Sequence, residues 1–139
     1  MNRFDVSYIK MAQIWGENSH CKRNKVGALV VKNNVIISDG FNGMPVGMDN
    51  CCEDADNNTK WQVLHAESNA LAKLAKNPAS STGSTLYVTL SPCKECSKLI
   101  LQSGITRVVY LEEYRDTTGI DFLKQQGVEV EKITVTYKD

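Results

Sequence analysis

With 139 residues, the chain is long enough for one domain with its own core and too short for two ordinary ones, so 1–139 is read as a single domain. Apolar residues make up 42% and charged ones 23%, and sixteen basic side chains cancel sixteen acidic ones. That balance excludes coating nucleic acid by net charge and favours a small polar substrate.

Residues 5–19 read as a helix capped by Asp5, with Tyr8, Met11, Ala12 and Trp15 recurring at helical spacing. A polar loop follows to Lys25. Val26–Lys32 is a near-continuous apolar run and reads as a buried strand; Asn33-Asn34 turns it into a second strand over Val35–Ser38. Gly40, Gly43, Pro45 and Gly47 punctuate a long loop to about Asn58, a length that in so small a domain points to function. A helix is expected over 61–76, burying Val63, Leu64, Leu71 and Leu74 and stopped by Asn77-Pro78. Strand 86–90, helix 93–102, strand 107–111, a short helix at 120–126 and strand 128–135 complete the chain. The first strand pair is antiparallel, and the later strands, alternating with helices, are expected to be parallel through right-handed crossovers. The fold class is therefore α/β: a three-layer α/β/α sandwich around a five-stranded mixed sheet.

The chemistry concentrates in His65-Ala66-Glu67 and Pro92-Cys93-Lys94-Glu95-Cys96. Catalytic Zn²⁺ takes three protein ligands and keeps a fourth position for water. His65, Cys93 and Cys96 supply three, and the Cys-x-x-Cys spacing at a helix start turns both sulfurs to one side, where the helix dipole favours thiolates. Glu67 is placed to reach water at the open position and to move its proton, as the catalytic residue. Alone, the Cys-x-x-Cys fits a redox pair or half of a structural zinc site. The His-x-Glu and Pro-Cys-x-x-Cys pair together is the signature of zinc-dependent deaminases.

At these residues the chain resembles the cytidine and deoxycytidylate deaminase superfamily over about 5–135, with a cytidine-deaminase-like fold. Lys25-Val26-Gly27-Ala28, Gly40-Phe41-Asn42-Gly43-Met44-Pro45, His65–Ala70 and Thr89–Cys96 carry the resemblance, and Gln102-Ser103-Gly104-Ile105 narrows it to the deoxycytidylate branch. The resemblance implies hydrolysis of dCMP to dUMP and ammonia, feeding thymidylate synthesis. Water attacks C4 of the cytosine, and Glu67 protonates N3 and then the leaving amine. The Ala66 N–H holds the base carbonyl, and the backbone around Ser91 receives the amine. Asn42 matches the family's sugar-contacting asparagine, although an Asn between glycines also suits a turn. Arg23 and Lys25 are candidates for the 5′-phosphate, and Tyr114 for closing over the base or sugar. The same resemblance implies a homo-oligomer, hexamer or trimer, activated by dCTP and inhibited by dTTP with Mg²⁺. Such regulation would be carried by the loop holding Phe41, Asn42, Gly43, Met44 and Pro45.

No apolar run nears the roughly 20 residues of a membrane span, and Met1–Asp5 opens no apolar signal region. No membrane partner and a cytoplasmic location are therefore expected. In that reducing setting the five cysteines favour metal or catalytic roles over disulfides. After the zinc set is filled, His20, Cys21, Cys51 and Cys52 remain, and a second, structural zinc using some of them would staple the long loop. Their other reading is as buried or free thiols. Three alternatives share the motif or the metal. A tRNA adenosine deaminase should carry a basic surface, against the zero net charge. A free-cytidine deaminase should have a differently directed last strand. A non-catalytic zinc-binding assembly module, a different class, would have no use for Glu67.

Overall fold

A computed structural model describes residues 2–136. Its elements run α1 (Asp5–Gly16), β1 (Gly27–Lys32), β2 (Val35–Phe41), α2 (Ala66–Leu74), β3 (Thr85–Leu90), α3 (Lys94–Gln102), β4 (Arg107–Glu112), α4 (Thr118–Gln125) and β5 (Glu129–Lys132). The five strands form one sheet in the order β2-β1-β3-β4-β5. β1 pairs antiparallel with both β2 and β3, while β3, β4 and β5 are parallel. The expected mixed sheet and crossovers are present.

Alternation along the central strands sorts two cores. Ala28 and Val30, Leu86 and Val88, and Val108 and Tyr110 point to one face, where Ala66, Ala70 and Leu74 of α2, Ile100 of α3, and Ile120 and Leu123 of α4 cover them. Leu29, Val31, Tyr87 and Val109 point to the other face and meet Ile9 and Ala12 of α1. Each Val, Leu or Ile side chain removed from water contributes about 1.5–3 kcal/mol, so both helical layers are held by burial.

Three expectations change. The first helix ends at Gly16 rather than residue 19, and Asp5 is its first helical residue, fully buried, with Phe4 at the cap. Its buried side is Ile9, Ala12 and Gly16, while Met11 and Trp15 are exposed. The cause is close approach: a Cβ on Gly27 would lie 1.8 Å from the Ala12 carbonyl oxygen, so α1 comes closest to the sheet at its small residues Ala12 and Gly16, beside Ile9. The helix expected at 61–76 begins only at Ala66. The residues before it serve the long loop instead, with Leu64 bridging to Gly43 and Trp61 89% exposed. The last strand shrinks from 128–135 to Glu129–Lys132, although Ile133 stays buried and its N–H still reaches the Tyr110 carbonyl. Among the described residues, no helix is long and apolar enough to cross a membrane.

Candidate active site

A cleft of about 470 Å³ opens beyond the C-terminal ends of β2, β3 and β4. This is where open α/β sheets usually bind ligands. Because β1 runs antiparallel, its first turn joins the same end, and Val26 lines the cleft. Short loops leave β3 at Ser91 and β4 at Glu113, and each delivers side chains directly to the opening.

At its base lie His65, Cys93 and Cys96. Nδ1 of His65 is 3.5 Å from Cys93 Sγ and 3.4 Å from Cys96 Sγ. With Zn–N near 2.0–2.1 Å and Zn–S near 2.3 Å, tetrahedral ligands should stand about 3.5 Å apart, so the donor set fits Zn²⁺. The backbone makes this so. His65 and Cys93 are the N-cap residues of α2 and α3, and Cys93 Sγ accepts the Cys96 N–H, which holds both sulfurs on one turn. The hydrogen bond from Cys96 pulls the Cys93 thiol well below its ordinary range, and the same bond, with burial, pushes Cys96 up. The bond to Cys93 raises His65, against its burial. A cation bound by these three groups would displace their protons.

Glu67 is the second residue of α2, 4% exposed, and lines the cleft. Burial raises its carboxyl to about 7. Ala66 also lines the cleft, and as the first residue of α2 its N–H has no partner within the helix. Asn42 is placed there by a grip on the neighbouring strand entry: its Oδ1 accepts the Val26 N–H at 2.8 Å and its Nδ2 donates to the Asn24 carbonyl at 2.8 Å. Ser91 donates its N–H to the Glu112 carbonyl, and its hydroxyl accepts the Tyr114 N–H at 2.7 Å, which fixes the rim carrying Tyr114.

Of the two phosphate candidates, Arg23 lines the cleft and Lys25 does not. The Lys25 ammonium donates to the Ser19 carbonyl and borders a separate, smaller depression with Gln13 and Glu17. Phe41 packs edge-on against Trp15, while Gly43 pairs with Leu64; Met44 and Pro45 are half-buried. Sequence reasoning passed over Glu53, Thr59, Glu113 and Arg115, all of which line the cleft. Polar residues in loops give no local signal, and only the folding of the long loop after β2 and the short loop after β4 onto the same cleft brings them in.

The spare cysteines depart from expectation. Cys21 and Cys52 form a disulfide, and Cys51 stays an exposed thiol whose Sγ approaches the Glu53 carbonyl at 3.3 Å. His20 lies outside this group. Its third potential ligand is the buried carboxylate of Glu53, which accepts the Lys22 and Arg23 N–H groups. The disulfide ties the loop before β1 to the loop after β2, on the wall that carries Arg23.

A three-layer α/β/α frame holding a His-Cys-Cys donor set beside a buried glutamate defines the class of zinc-dependent deaminases. The family model described as cytidine and deoxycytidylate deaminase zinc-binding region matches residues 2–112, and the chain belongs to that family. Among solved structures, it is similar to the dCMP deaminase of cyanophage S-TIM5, crystallised in complex with dCMP and dUMP. The identity is 52%, the TM-score 0.93, and the match covers 96% of this chain and 99% of that one. It is 34% identical to the deoxycytidylate deaminase of Enterobacteria phage T4, over 88% of this chain and 86% of the relative. To the deoxycytidylate deaminase of Mus musculus it is 38% identical, over 94% and 79%.

Proposed function

We propose that the chain deaminates dCMP to dUMP and ammonia with water as the second substrate, supplying dUMP for thymidylate synthesis. The observation that carries this reading is the buried Glu67 beside the His65, Cys93 and Cys96 donors, at the base of a nucleotide-sized cleft. The ligands of the cyanophage relative support dCMP as the substrate.

His65, Cys93 and Cys96 would hold Zn²⁺, which when bound lowers the pKa of water and polarises the reacting centre. Glu67 takes a proton from the attacking water and gives it to N3 of the cytosine, then takes the second proton, from the hydroxyl left on C4, and gives it to the departing amine. Its place in a buried pocket keeps the carboxyl able to hold and release a proton near neutrality. The Ala66 N–H orients the base carbonyl. The Ser91 hydroxyl is committed to Tyr114 and its N–H to Glu112, leaving its carbonyl as the acceptor for the exocyclic amine. Asn42 retains one amide hydrogen for the sugar, and Tyr114, on the rim, covers base or sugar.

Ammonia release from dCMP, dCTP, deoxycytidine and tRNA, measured side by side, tests the reading. Turnover of dCMP above the others supports it, and none with dCMP overturns it. Replacing Glu67 by Gln should lower kcat by about 10²–10⁴-fold while zinc content stays unchanged; near-full activity would remove the proton-shuttle role.

Activation by dCTP and inhibition by dTTP with Mg²⁺, carried by Phe41–Pro45, belong to the same proposal, as does a homohexamer or trimer. The exposed apolar side chains of Val46 and Trp61, on the long loop that the Gly43–Leu64 bridge closes, support self-association. A cytoplasmic location would keep Cys21 and Cys52 reduced. In that state a second Zn²⁺ would take these two and Glu53, without His20 and Cys51. Two zinc ions per reduced chain, and one per oxidised chain, are expected by elemental analysis.

A further inference from the structure

Gly119, in the first turn of α4, is a buried glycine with an ordinary helical backbone. Its reason is therefore space and not conformation. A Cβ there would stand 2.6 Å from the Pro92 carbonyl oxygen, 2.7 Å from the Cys93 carbonyl carbon and 2.6 Å from the Ser97 Oγ. All three distances are shorter than a real Cβ tolerates, and two of the three atoms are backbone. The backbone of α4 is thus seated directly on the turn that carries a metal ligand. Ser97 fills the α3 side of the seat. It is wholly buried, its N–H donates to the Cys93 carbonyl at 2.9 Å, and its hydroxyl has no hydrogen-bond partner among the described residues.

Cys93 is consequently held from two sides. Within α3 its Sγ accepts the Cys96 N–H and its carbonyl the Ser97 N–H. From outside, α4 closes on its carbonyl carbon with only hydrogen between. A metal site depends on such support, because donors about 3.5 Å apart must converge on one ion and a shift of one ligand spoils the set. We propose that Gly119 is a positioning residue for the metal centre: the close seat of α4 on Pro92 and Cys93 sets where Cys93 presents its sulfur. This rests on reading His65, Cys93 and Cys96 as zinc ligands. It gives α4 two separate duties, since Ile120 and Leu123 serve the core while Gly119 serves the site.

Zinc affinity, measured by competition with a chromogenic chelator, and the absorption bands of the Co²⁺-substituted protein test it. The proteins are the wild type, Gly119→Ala, Gly119→Ala with Ser97→Ala, and Leu123→Ala. Gly119→Ala should lower zinc affinity by about 10–100-fold, the usual loss when a ligand's support is disturbed, and shift the Co²⁺ bands. Ser97→Ala in that background removes one of the three clashes, lets α4 yield away from Cys93, and should restore part of the affinity. Leu123→Ala thins the core beneath α4, and should lower the midpoint of thermal unfolding without moving the affinity or the bands. Wild-type affinity and bands in Gly119→Ala, or an equal loss of affinity in Leu123→Ala, would overturn the proposal. Should Gly119→Ala fail to fold, Ser97→Thr adds one methyl group to the same seat from the α3 side. A lowered affinity there supports the proposal and an unchanged one sinks it. If the wild type bound zinc tightly, in a manner sensitive to Gly119, yet failed to deaminate dCMP, the functional reading would fail and the positioning role would stand.

Discussion

Asn42 divides its amide between two tasks. Oδ1 and one Nδ2 hydrogen hold the strand entry at Val26 and Asn24, and what remains faces the cleft. Replacing Asn42 by Ala therefore leaves the buried Val26 N–H without an acceptor and should cost about 1–3 kcal/mol of folding stability, besides any loss of affinity. Chemical denaturation of the ligand-free protein measures the first effect alone. A variant as stable as the wild type would show that the side chain is free for the ligand and not a brace. The sugar-contact reading was available from the sequence, but the bracing role was not, because both partners lie far from Asn42 in the chain. Arg115 was illegible for a related reason. A lone arginine in a polar loop looks like any solvated side chain until Ser91 fixes its neighbour.

Among the elements, α1 is tied to the sheet by a buried ionic cluster at the end opposite the cleft. Asp5 takes both Arg107 guanidinium nitrogens, at 2.8 and 2.7 Å, and the Tyr87 hydroxyl at 2.6 Å, while Arg107 also pairs with Glu131. Burial pushes the Asp5 carboxyl up, but the hydrogen bonds from Arg107, Tyr87 and the Asn2 N–H outweigh it, and the pKa falls from 3.8 to about 2. The folded value lies below the unfolded one, so the contribution is complete above about pH 4 and is lost as pH falls through about 2. Thermal unfolding followed between those values should show the loss. Arg107→Met should abolish this pH step and, by leaving the Asp5 carboxylate buried and unpaired, cost about 3–5 kcal/mol at neutral pH. Sequence pattern gave the existence and order of these elements, because apolar runs and glycine or proline stops are local signals. It misplaced the onset of α2 since Trp61–Leu64 has helical composition but is spent on the bridge to Gly43. It misjudged the face of α1 since an approach through Ala12, Gly16 and Gly27 is written in small residues.

For the whole molecule, the metal donors and Glu67 were legible because each half of the motif lies within a few residues. The Cys21–Cys52 pairing was not, since the cysteine count and an assumed reducing setting argued the other way. Both cores lie along the sheet, built from Ile9, Val30, Val88, Val108 and Leu123 among others. Neither depends on the metal ligands for its closure. Treatment with a strong chelator should leave the far-UV circular dichroism of the folded protein in place. The midpoint of thermal unfolding should drop only by what mass-action coupling to the ion provides. Loss of the fold on chelation would show instead that the ion is structural, as in small zinc modules.

The meeting of α2 and α3 at their first residues, His65 and Cys93, has a temporal corollary. Each ligand is set by the start of a helix that the core folds on its own account. The expected order of events is thus polypeptide first and ion second, with the chain stripped of zinc still a competent acceptor. Supply of the ion then governs how much of the folded pool is active, and activity should return on adding Zn²⁺ at the rate of ion capture, with no lag for refolding.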